Sequence, residues 1–242
     1  MIEVHQVSKR FGAFTALQDV SFRVEAGEVY GLLGENGAGK TTLMRLMATI
    51  LRPTQGEIEI AGFSVTREPE AVRRRIGILF GGDVGLYSRL TARENIAYFG
   101  SLYGLEKTQI AAQIERLSRM FEMEPFLDRR VGSFSRGMRQ KVAIARTLVH
   151  DPAVILLDEP TTGLDVSAAN LFRRMIRMLQ EEGKTILFSS HNMSEIDKLC
   201  RRIAVMHQGR LLFAGSVDAL RQKYGVHDLD ELFMTVVEGG GR

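Results

Sequence analysis

The chain has 242 residues, of which 45% are hydrophobic and 25% are charged, proportions that are ordinary for a globular protein with a large core. The formal net charge of +3 is too small to indicate nucleic-acid binding. No apolar run approaches the roughly 18–20 residues of a membrane-spanning helix, and the N-terminus lacks the layout of a signal peptide. The single cysteine, Cys200, is predicted to be a core thiol in a reducing compartment, so we expect a cytosolic chain unless a partner holds it at a membrane.

Two segments near the N-terminus alternate between apolar and polar residues. Residues 2–7 and 20–24 are therefore predicted to be half-buried strands. Phe11 lies between them in a basic loop, which Gly12 allows to bend. The residues alone leave two roles open for the Phe11 ring: stacking on a base, or packing in the core.

The next stretch has the G-x-x-x-x-G-K-[ST] pattern of a phosphate-binding loop, between a predicted strand at residues 29–33 and a predicted helix from about Lys40. Glycines let the backbone N–H groups point at phosphate, and the helix adds the positive end of its dipole. Lys40 is predicted to contact the β- and γ-phosphates, Thr41 to bind Mg²⁺ and Thr42 to reach the α-phosphate. The predicted nucleotide-binding residues of this stretch are Gly34, Glu35, Asn36, Gly37, Ala38, Gly39, Lys40, Thr41 and Thr42.

The segment that follows changes from strands to helices. Residues 57–60 and 76–80 are predicted strands, and from about residue 90 the pattern is helical, with Thr91 and Glu94 forming a predicted capping box. One face of a later helix carries four apolar residues, Ile110, Ile114, Leu117 and Phe121. We predict a helical subdomain at about residues 86–150, inserted into an α/β core.

A continuous apolar strand at residues 154–158 ends in two acids, Asp158 and Glu159. Ligands of α/β folds bind at this edge of the sheet. Asp158 is suited to hold Mg²⁺, and Glu159 to polarise a water in line with the γ-phosphate. Ser135 is predicted to cap a helix, and His191 follows another predicted strand. Taken alone, a capped helix and a single histidine are structural features.

Helices and strands alternate through the last third of the chain. This alternation predicts a mainly parallel sheet covered on both faces, which is an α/β fold. The predicted elements are a helix at 170–180, a strand at 185–189, a helix at 194–200, a hairpin at 203–214 and a final helix from about Ser216 that leads to a frayed tail.

In this order, the motifs resemble those of the ATPase subunit of an ATP-binding-cassette (ABC) transporter, over about residues 2–214. Residues 34–41 resemble the Walker A loop, 154–159 the Walker B strand and 134–140 the family's signature sequence. The resemblance implies a P-loop NTPase fold of the ABC type, with an N-terminal antiparallel β-subdomain. It implies an ABC ATPase domain at residues 1–216, followed by a C-terminal helix and tail at 217–242.

The resemblance also implies roles that the residues alone do not. Phe11 is expected to stack on adenine, His191 to contact the γ-phosphate, and residues 163–165 to form the D-loop. ATP and Mg²⁺ are the implied cofactors, and Glu159 the implied catalytic base. Two subunits, expected to be identical, pair head to tail, so that Ser135 and Gly137 of one meet the γ-phosphate held by the other.

A multispanning permease in a separate chain is the other implied partner. It is expected to dock between the helical subdomain and the loop at residues 81–86, which would hold the chain at the cytoplasmic face of the membrane. No nucleic acid is expected. The loop at 80–87, the signature variant at 135–138 and the segment 228–233 are similar to those of exporter ATPases of the sodium-efflux, NatA-like type. The expected cargo is sodium or a small molecule.

Two departures from the family pattern stand out. Gly81 occupies the position of the usual glutamine, and we hypothesise that Asp83 or a water substitutes for it. Arg136 stands where the signature usually has glycine, and function is expected to persist because Ser135 and Gly137 remain.

Two other functions are alternatives to that of an exporter subunit. A soluble ABC ATPase acting on nucleic acid or ribosomes resembles two fused cassettes or a cassette split by a coiled coil. This chain has one motif set and lacks heptads. A P-loop kinase or GTPase is disfavoured by the signature sequence and by His191.

Overall fold

A computed structural model of the chain describes residues 1–81, 85–162, 166–226 and 228–239. Its strands in chain order are β1 (Ile2–Phe11), β2 (Phe14–Val24), β3 (Val29–Leu33), β4 (Gln55–Ile60), β5 (Phe63–Ser64), β6 (Ile76–Leu79), β7 (Val154–Asp158), β8 (Thr185–Ser190), β9 (Arg202–His207) and β10 (Arg210–Ser216). Its α-helices are α1 (Lys40–Met47), α2 (Pro69–Arg73), α3 (Ala92–Leu102), α4 (Lys107–Met120), α5 (Arg136–Leu148), α6 (Val166–Glu181), α7 (Met193–Leu199), α8 (Val217–Tyr224) and α9 (Leu229–Gly239), and two 3₁₀ turns lie at Glu124–Phe126 and Val131–Ser133.

The strands form two sheets. One has four antiparallel strands in the order β2-β1-β4-β5, and the other has six strands in the order β10-β9-β3-β8-β7-β6. Neighbours from β9 to β6 run parallel, and β10 pairs antiparallel with β9 as the predicted hairpin requires. The predicted mainly parallel α/β sheet and the antiparallel N-terminal sheet are both confirmed.

The parallel register brings the ends of three strands to one edge of the larger sheet. Leu33 pairs with Ser190, and Asp158 pairs with Ser189. The phosphate loop, the two acids and the residues before His191 therefore leave the sheet side by side, although Thr41 of the loop is 117 residues from Asp158 and Ser189 is 31 residues from it.

Successive residues of the central strands belong to different hydrophobic clusters. Val154 and Leu156 pack with α1 and the antiparallel sheet, whereas Ile155 and Leu157 pack with residues of α3–α9. Strands that are buried on both faces read as continuous apolar runs, which is why residues 154–158 show no alternation. Ile110, Ile114, Leu117 and Phe121 are buried in the second cluster, as predicted.

Helix α3 begins at the predicted capping box. The Thr91 hydroxyl accepts from Glu94 N–H at 3.1 Å, and the Glu94 carboxylate accepts from Thr91 N–H at 2.8 Å. Helices α3 to α5 lie between β6 and β7 in the chain, where the helical segment was predicted. The subdomain boundaries at residues 86, 150 and 216 stay predictions.

The C-terminal segment differs from the predicted single helix. Helix α8 is capped by Ser216 and ends at Tyr224, Gly225 follows with a left-handed φ of 68°, and α9 comes next. Leu232, Phe233 and Val236 of α9 are buried in the core. The prediction of a single final helix was wrong, because these three residues form an apolar stripe that packs α9 on the domain. Of the stretch predicted to be frayed, Gly239 is the last residue of α9, and residues 240–242 lie outside the described part of the chain.

No helix within the described part of the chain is both long enough and apolar enough to cross a membrane. Cys200 is buried and free, as predicted.

Candidate functional site

The phosphate loop joins β3 to α1, in the predicted strand–loop–helix order. Gly39 precedes the helix with a φ of 103°, and a Cβ atom there would lie 2.7 Å from a methyl carbon of Leu17. Glycine is therefore required at this position by both backbone conformation and space. Gly37 is also left-handed, with a φ of 87°. The loop thus presents the N-terminus of α1 to any anion placed in it.

Lys40 lies at the centre of this loop. Its side chain is only 5% exposed, and its ammonium donates to the carbonyl oxygens of Gly34 at 2.6 Å and Glu35 at 3.0 Å. A third oxygen, Oε1 of Glu159, is 3.4 Å away. Lys40 is held beside both the loop backbone and the predicted catalytic acid, as an anion-binding lysine in such a loop should be.

Asp158 is buried at the end of β7 and accepts two side-chain hydrogen bonds. Thr41 Oγ1 donates to one carboxylate oxygen at 2.7 Å, and Ser189 Oγ donates to the other at 2.6 Å. The predicted metal ligands Thr41 and Asp158 are therefore in direct contact. The described residues contain no group of three or more His, Cys, Asp or Glu side chains suited to a metal ion. A hydroxyl beside one carboxylate fits Mg²⁺, which takes few protein ligands and completes its shell with water and phosphate oxygens.

Glu159 contacts both Lys40 and His191 through its carboxylate. Its carboxylate lies 3.4 Å from Lys40 Nζ through one oxygen and 3.3 Å from His191 Nδ1 through the other. Its φ of 47° is left-handed, which costs a non-glycine residue about 1–3 kcal/mol. Such strain persists only where the surroundings fix the backbone, and the Glu159 N–H donates to Ser189 Oγ at 3.0 Å.

Ser189 is a site residue that the sequence analysis missed. Its hydroxyl bridges Asp158 and the Glu159 backbone, and its side chain is 0% exposed. The signal was weak: a serine at the end of a predicted parallel strand, whose partner strand ends in an acid. Only the register between β7 and β8 places the two together.

The remaining Walker A residues lie around this centre. Asn36 borders the cleft described below, and Ala38 is buried and donates its N–H to Glu35 O at 3.1 Å. The exposed Glu35 carboxylate lies 3.7 Å from His207 Nδ1. Thr42 is half-buried in the first turn of α1.

Phe11 lies at the tip of the β1–β2 hairpin and is 46% exposed. Lys9 Nζ is 4.9 Å from its ring centroid. This exposure does not match the alternative in which the Phe11 ring packs in the core. Leu17, further along the same hairpin, packs against the phosphate loop. The adenine-stacking role of Phe11 stays a prediction.

The signature residues lie at the start of α5. The Ser135 hydroxyl accepts from Met138 N–H at 3.2 Å, so the predicted cap is present, and Ser135 itself is exposed. Gly137 is in the first turn of the same helix. The expected meeting of Ser135 and Gly137 with a nucleotide held by a second subunit stays a prediction.

A cleft of about 530 Å³ separates the start of α5 from the phosphate loop and the acids. Its walls are Asn36, Thr41, Arg45, Phe80, Gly81, Arg136, Arg139, Gln140, Asp158, Glu159, Pro160 and Thr162. Three arginines and the oxygen-rich edge of the sheet face the same space, so the cleft is suited to an anionic ligand with a cation beside it.

Gly81 lines this cleft at the position where the family usually has glutamine. A Cβ atom on Gly81 would lie 2.9 Å from the carbonyl oxygen of Asp158, closer than side-chain carbons pack. The backbone here therefore approaches too closely to admit a side chain without a shift. Asp83, the hypothesised substitute, and the predicted D-loop at 163–165 lie outside the described residues.

A family model described as "ABC transporter" matches residues 17–162. The chain is 50% identical to the ABC transporter ATP-binding protein NatA of Bacillus subtilis (strain 168), with 99% of both chains covered. It is 39% identical to the Nod factor export ATP-binding protein I of Paraburkholderia xenovorans (strain LB400), with 96% of this chain and 76% of the relative covered.

Two solved structures have the same fold. An ATP-binding subunit of an ABC transporter matches with a TM-score of 0.89 and 31% identity, covering 98% of this chain and 99% of that one. A dimeric ATP-binding cassette in a post-hydrolysis state, bound to ADP and Pi, matches with a TM-score of 0.81 and 26% identity, covering 90% and 99%.

Proposed function

The chain belongs to the ABC transporter family of ATP-binding subunits, which are ATPases, and from this membership we propose that its ATP hydrolysis powers a membrane exporter. The observation that carries the proposal is the cluster at one sheet edge. The Glu159 carboxylate lies between the other two charged groups, 3.4 Å from Lys40 Nζ and 3.3 Å from His191 Nδ1. The charges needed to bind a triphosphate and to activate a water are therefore assembled in one place.

Each residue has a distinct role in this proposal. The loop N–H groups and Lys40 hold the β- and γ-phosphates, and Thr42 reaches the α-phosphate. The Glu159 carboxylate accepts a proton from the attacking water, and His191 orients that water and contacts the γ-phosphate. Phe11 stacks on the adenine.

Thr41 Oγ1 and Asp158 would hold Mg²⁺, and their 2.7 Å contact supports this assignment. The ion would supply positive charge that neutralises the phosphate oxygens. Ser189 then keeps the Asp158 carboxylate turned toward Thr41 from the other side.

The active form is proposed to be a homodimer with two ATP molecules between the subunits. The exposed start of α5 supports this, because a helix N-terminus with free N–H groups is a ready anion site. Ser135 and Gly137 of one subunit would complete the site of the other. The structural relative that is dimeric and bound to ADP and Pi supports a dimeric active form.

A permease is proposed to dock between the helical subdomain and the 81–86 loop, of which residues 82–84 lie outside the described part of the chain, and to hold the chain at the cytoplasmic face of the membrane. Tyr87 comes directly after this loop in the chain, and Tyr98 and Leu102 lie on α3. All three side chains are exposed, and the rings of Tyr87 and Tyr98 are in edge-to-face contact at 5.3 Å. Exposed aromatic side chains that share one patch mark interaction surfaces. The cargo is proposed to be sodium or a small molecule, and the name of the Nod factor export relative supports export as the direction of transport.

The dimer mechanism is tested by Glu159→Gln, which keeps the shape of the side chain and removes the base. We expect this variant to bind ATP, to lose hydrolysis by about 100-fold or more, and to accumulate ATP-dependent dimers in size-exclusion chromatography. The specific ATPase activity of the wild-type chain should rise with protein concentration. Full activity as a monomer, independent of concentration, would contradict the proposal. Salt-sensitive nucleic-acid binding, with no capture by a co-expressed spanning partner, would favour the soluble alternative.

A further inference from the structure

Residues 160–162 come directly after Glu159, and each of the three is held by a side chain from another element. The Pro160 carbonyl accepts from Gln140 Nε2 at 2.8 Å, and the Thr162 carbonyl accepts from Arg136 Nη2 at 2.6 Å. The Thr161 hydroxyl donates to the Glu195 carboxylate in α7. An irregular segment cannot satisfy its own carbonyl groups, so such external donors determine its conformation.

Two of these donors belong to the same helix face. Arg136 and Gln140 are four residues apart in α5, so their side chains project from α5 one turn apart. Helix α5 is anchored by buried residues further along, including Val142 and Leu148. Arg136 stands at the position where the family signature usually has glycine. A glycine there has no side chain that would reach the Thr162 carbonyl.

Thr162 passes this restraint to Glu159. Its hydroxyl donates to Glu159 Oε2 at 3.3 Å, and its N–H donates to the Glu159 carbonyl at 3.3 Å. Glu159 has left-handed backbone dihedrals that need external support. The contacts therefore run from Arg136 through Thr162 to the carboxylate that also meets Lys40 and His191.

We propose that Arg136 and Gln140 are positioning residues that clamp segment 160–162 to α5 and thereby fix the Glu159 carboxylate for hydrolysis. The inference rests on the proposed function, since Glu159 is the base only if the chain hydrolyses ATP at this site. The clamp also links the two sites of the proposed dimer. Ser135 and Gly137 are at the N-terminus of the same helix, so engagement of α5 with the partner's nucleotide shifts the position of this subunit's own Glu159.

The test compares the ATP turnover of Arg136→Met, Gln140→Met and the double variant with that of wild type. Arg136→Lys restores a cationic donor of similar reach. Arg173→Met is the matched control, because Arg173 is a half-buried arginine on α6 whose guanidinium donates to the Asn170 side chain in the same helix.

We expect the kcat of the double variant to fall by about 10- to 100-fold, as for a misplaced catalytic group, with the KM for ATP within about threefold of wild type. Arg136→Lys should recover part of the kcat that Arg136→Met loses, and Arg173→Met should match wild type. Because both clamp residues hold one segment, the two single effects should not add. A merely structural role would lower thermal stability and raise KM without this split.

An unchanged kcat in the folded, ATP-binding double variant, within about twofold of an active wild type, would overturn the clamp and leave the proposed function standing. A parallel loss of ATP affinity, kcat and thermal midpoint would also overturn it. Should Gln140→Met fail to fold, Arg136→Met against Arg136→Lys decides alone, because Arg136 is exposed. A wild-type chain that does not hydrolyse ATP overturns the proposed function and the clamp together.

Discussion

Replacing Ser189 with alanine should damage both stability and catalysis, although Ser189 belongs to none of the recognised motifs. Its buried hydroxyl donates to the Asp158 carboxylate at 2.6 Å and accepts from the Glu159 N–H at 3.0 Å. Alanine removes both bonds at once and leaves no room for water without rearrangement, since the side chain is fully buried.

The size of the effect follows from the two groups involved. A hydrogen bond to a charged acceptor contributes about 1.5–3 kcal/mol, and a buried N–H left without its acceptor costs about 1–3 kcal/mol. Together they predict a loss of about 2.5–6 kcal/mol in the free energy of unfolding, which is a fall of about 5–24 °C in thermal midpoint for a chain of this size. Because the Glu159 backbone is strained, its carboxylate should also move, and kcat should fall by about 10- to 100-fold.

The assay is urea denaturation of Ser189→Ala beside steady-state ATP turnover. Ser118→Ala is a matched control, because the Ser118 hydroxyl is equally buried but has no hydrogen-bond partner among the described residues. Removing it should be neutral or slightly stabilising. If Ser189→Ala lowers the free energy of unfolding by less than about 1 kcal/mol and keeps wild-type turnover, the Ser189 hydroxyl does not stabilise Asp158 and Glu159, and the prediction is refuted.

Two further predictions follow from single positions. Burial lowers the pKa of His150, which stacks on Tyr103 at 3.5 Å, from 6.5 to about 4, so the unfolded chain binds an extra proton between these values. The free energy of unfolding should therefore fall by up to about 3 kcal/mol as pH drops from 6.5 to 4. His150→Phe should flatten this part of the plot of unfolding free energy against pH. Identical plots for wild type and variant would contradict the lowered pKa of His150. Gly81→Gln, which restores the usual family residue, should lower ATP turnover rather than raise it, because its Cβ atom would lie 2.9 Å from the Asp158 carbonyl; a gain in turnover would refute this.

The structure gives a physical reason for each departure from the family pattern. Glycine at position 81 leaves room for the close approach of its backbone to Asp158. Arginine at position 136 adds a hydrogen bond to the Thr162 carbonyl. The expectation that function persists with Arg136 stays a prediction, and the clamp gives it a specific reason.

The sequence by itself determined those features whose signal is local. The phosphate loop follows from glycine and lysine spacing, the buried strand before Asp158 from a continuous apolar run, and the hairpin from two strands around Gln208 and Gly209. The capping box at Thr91 and the buried face of α4 follow in the same way, because their partners are three or four residues apart.

Only the tertiary structure decided which distant groups meet. Ser189 reaches Asp158 across 31 residues through the parallel register, and Arg136 reaches Thr162 across 26. The packing of α9 depends on surfaces made by α7, α8 and β10. Local patterns specify helices, strands and turns, but the pairing of side chains from separate elements is determined by packing of the whole chain.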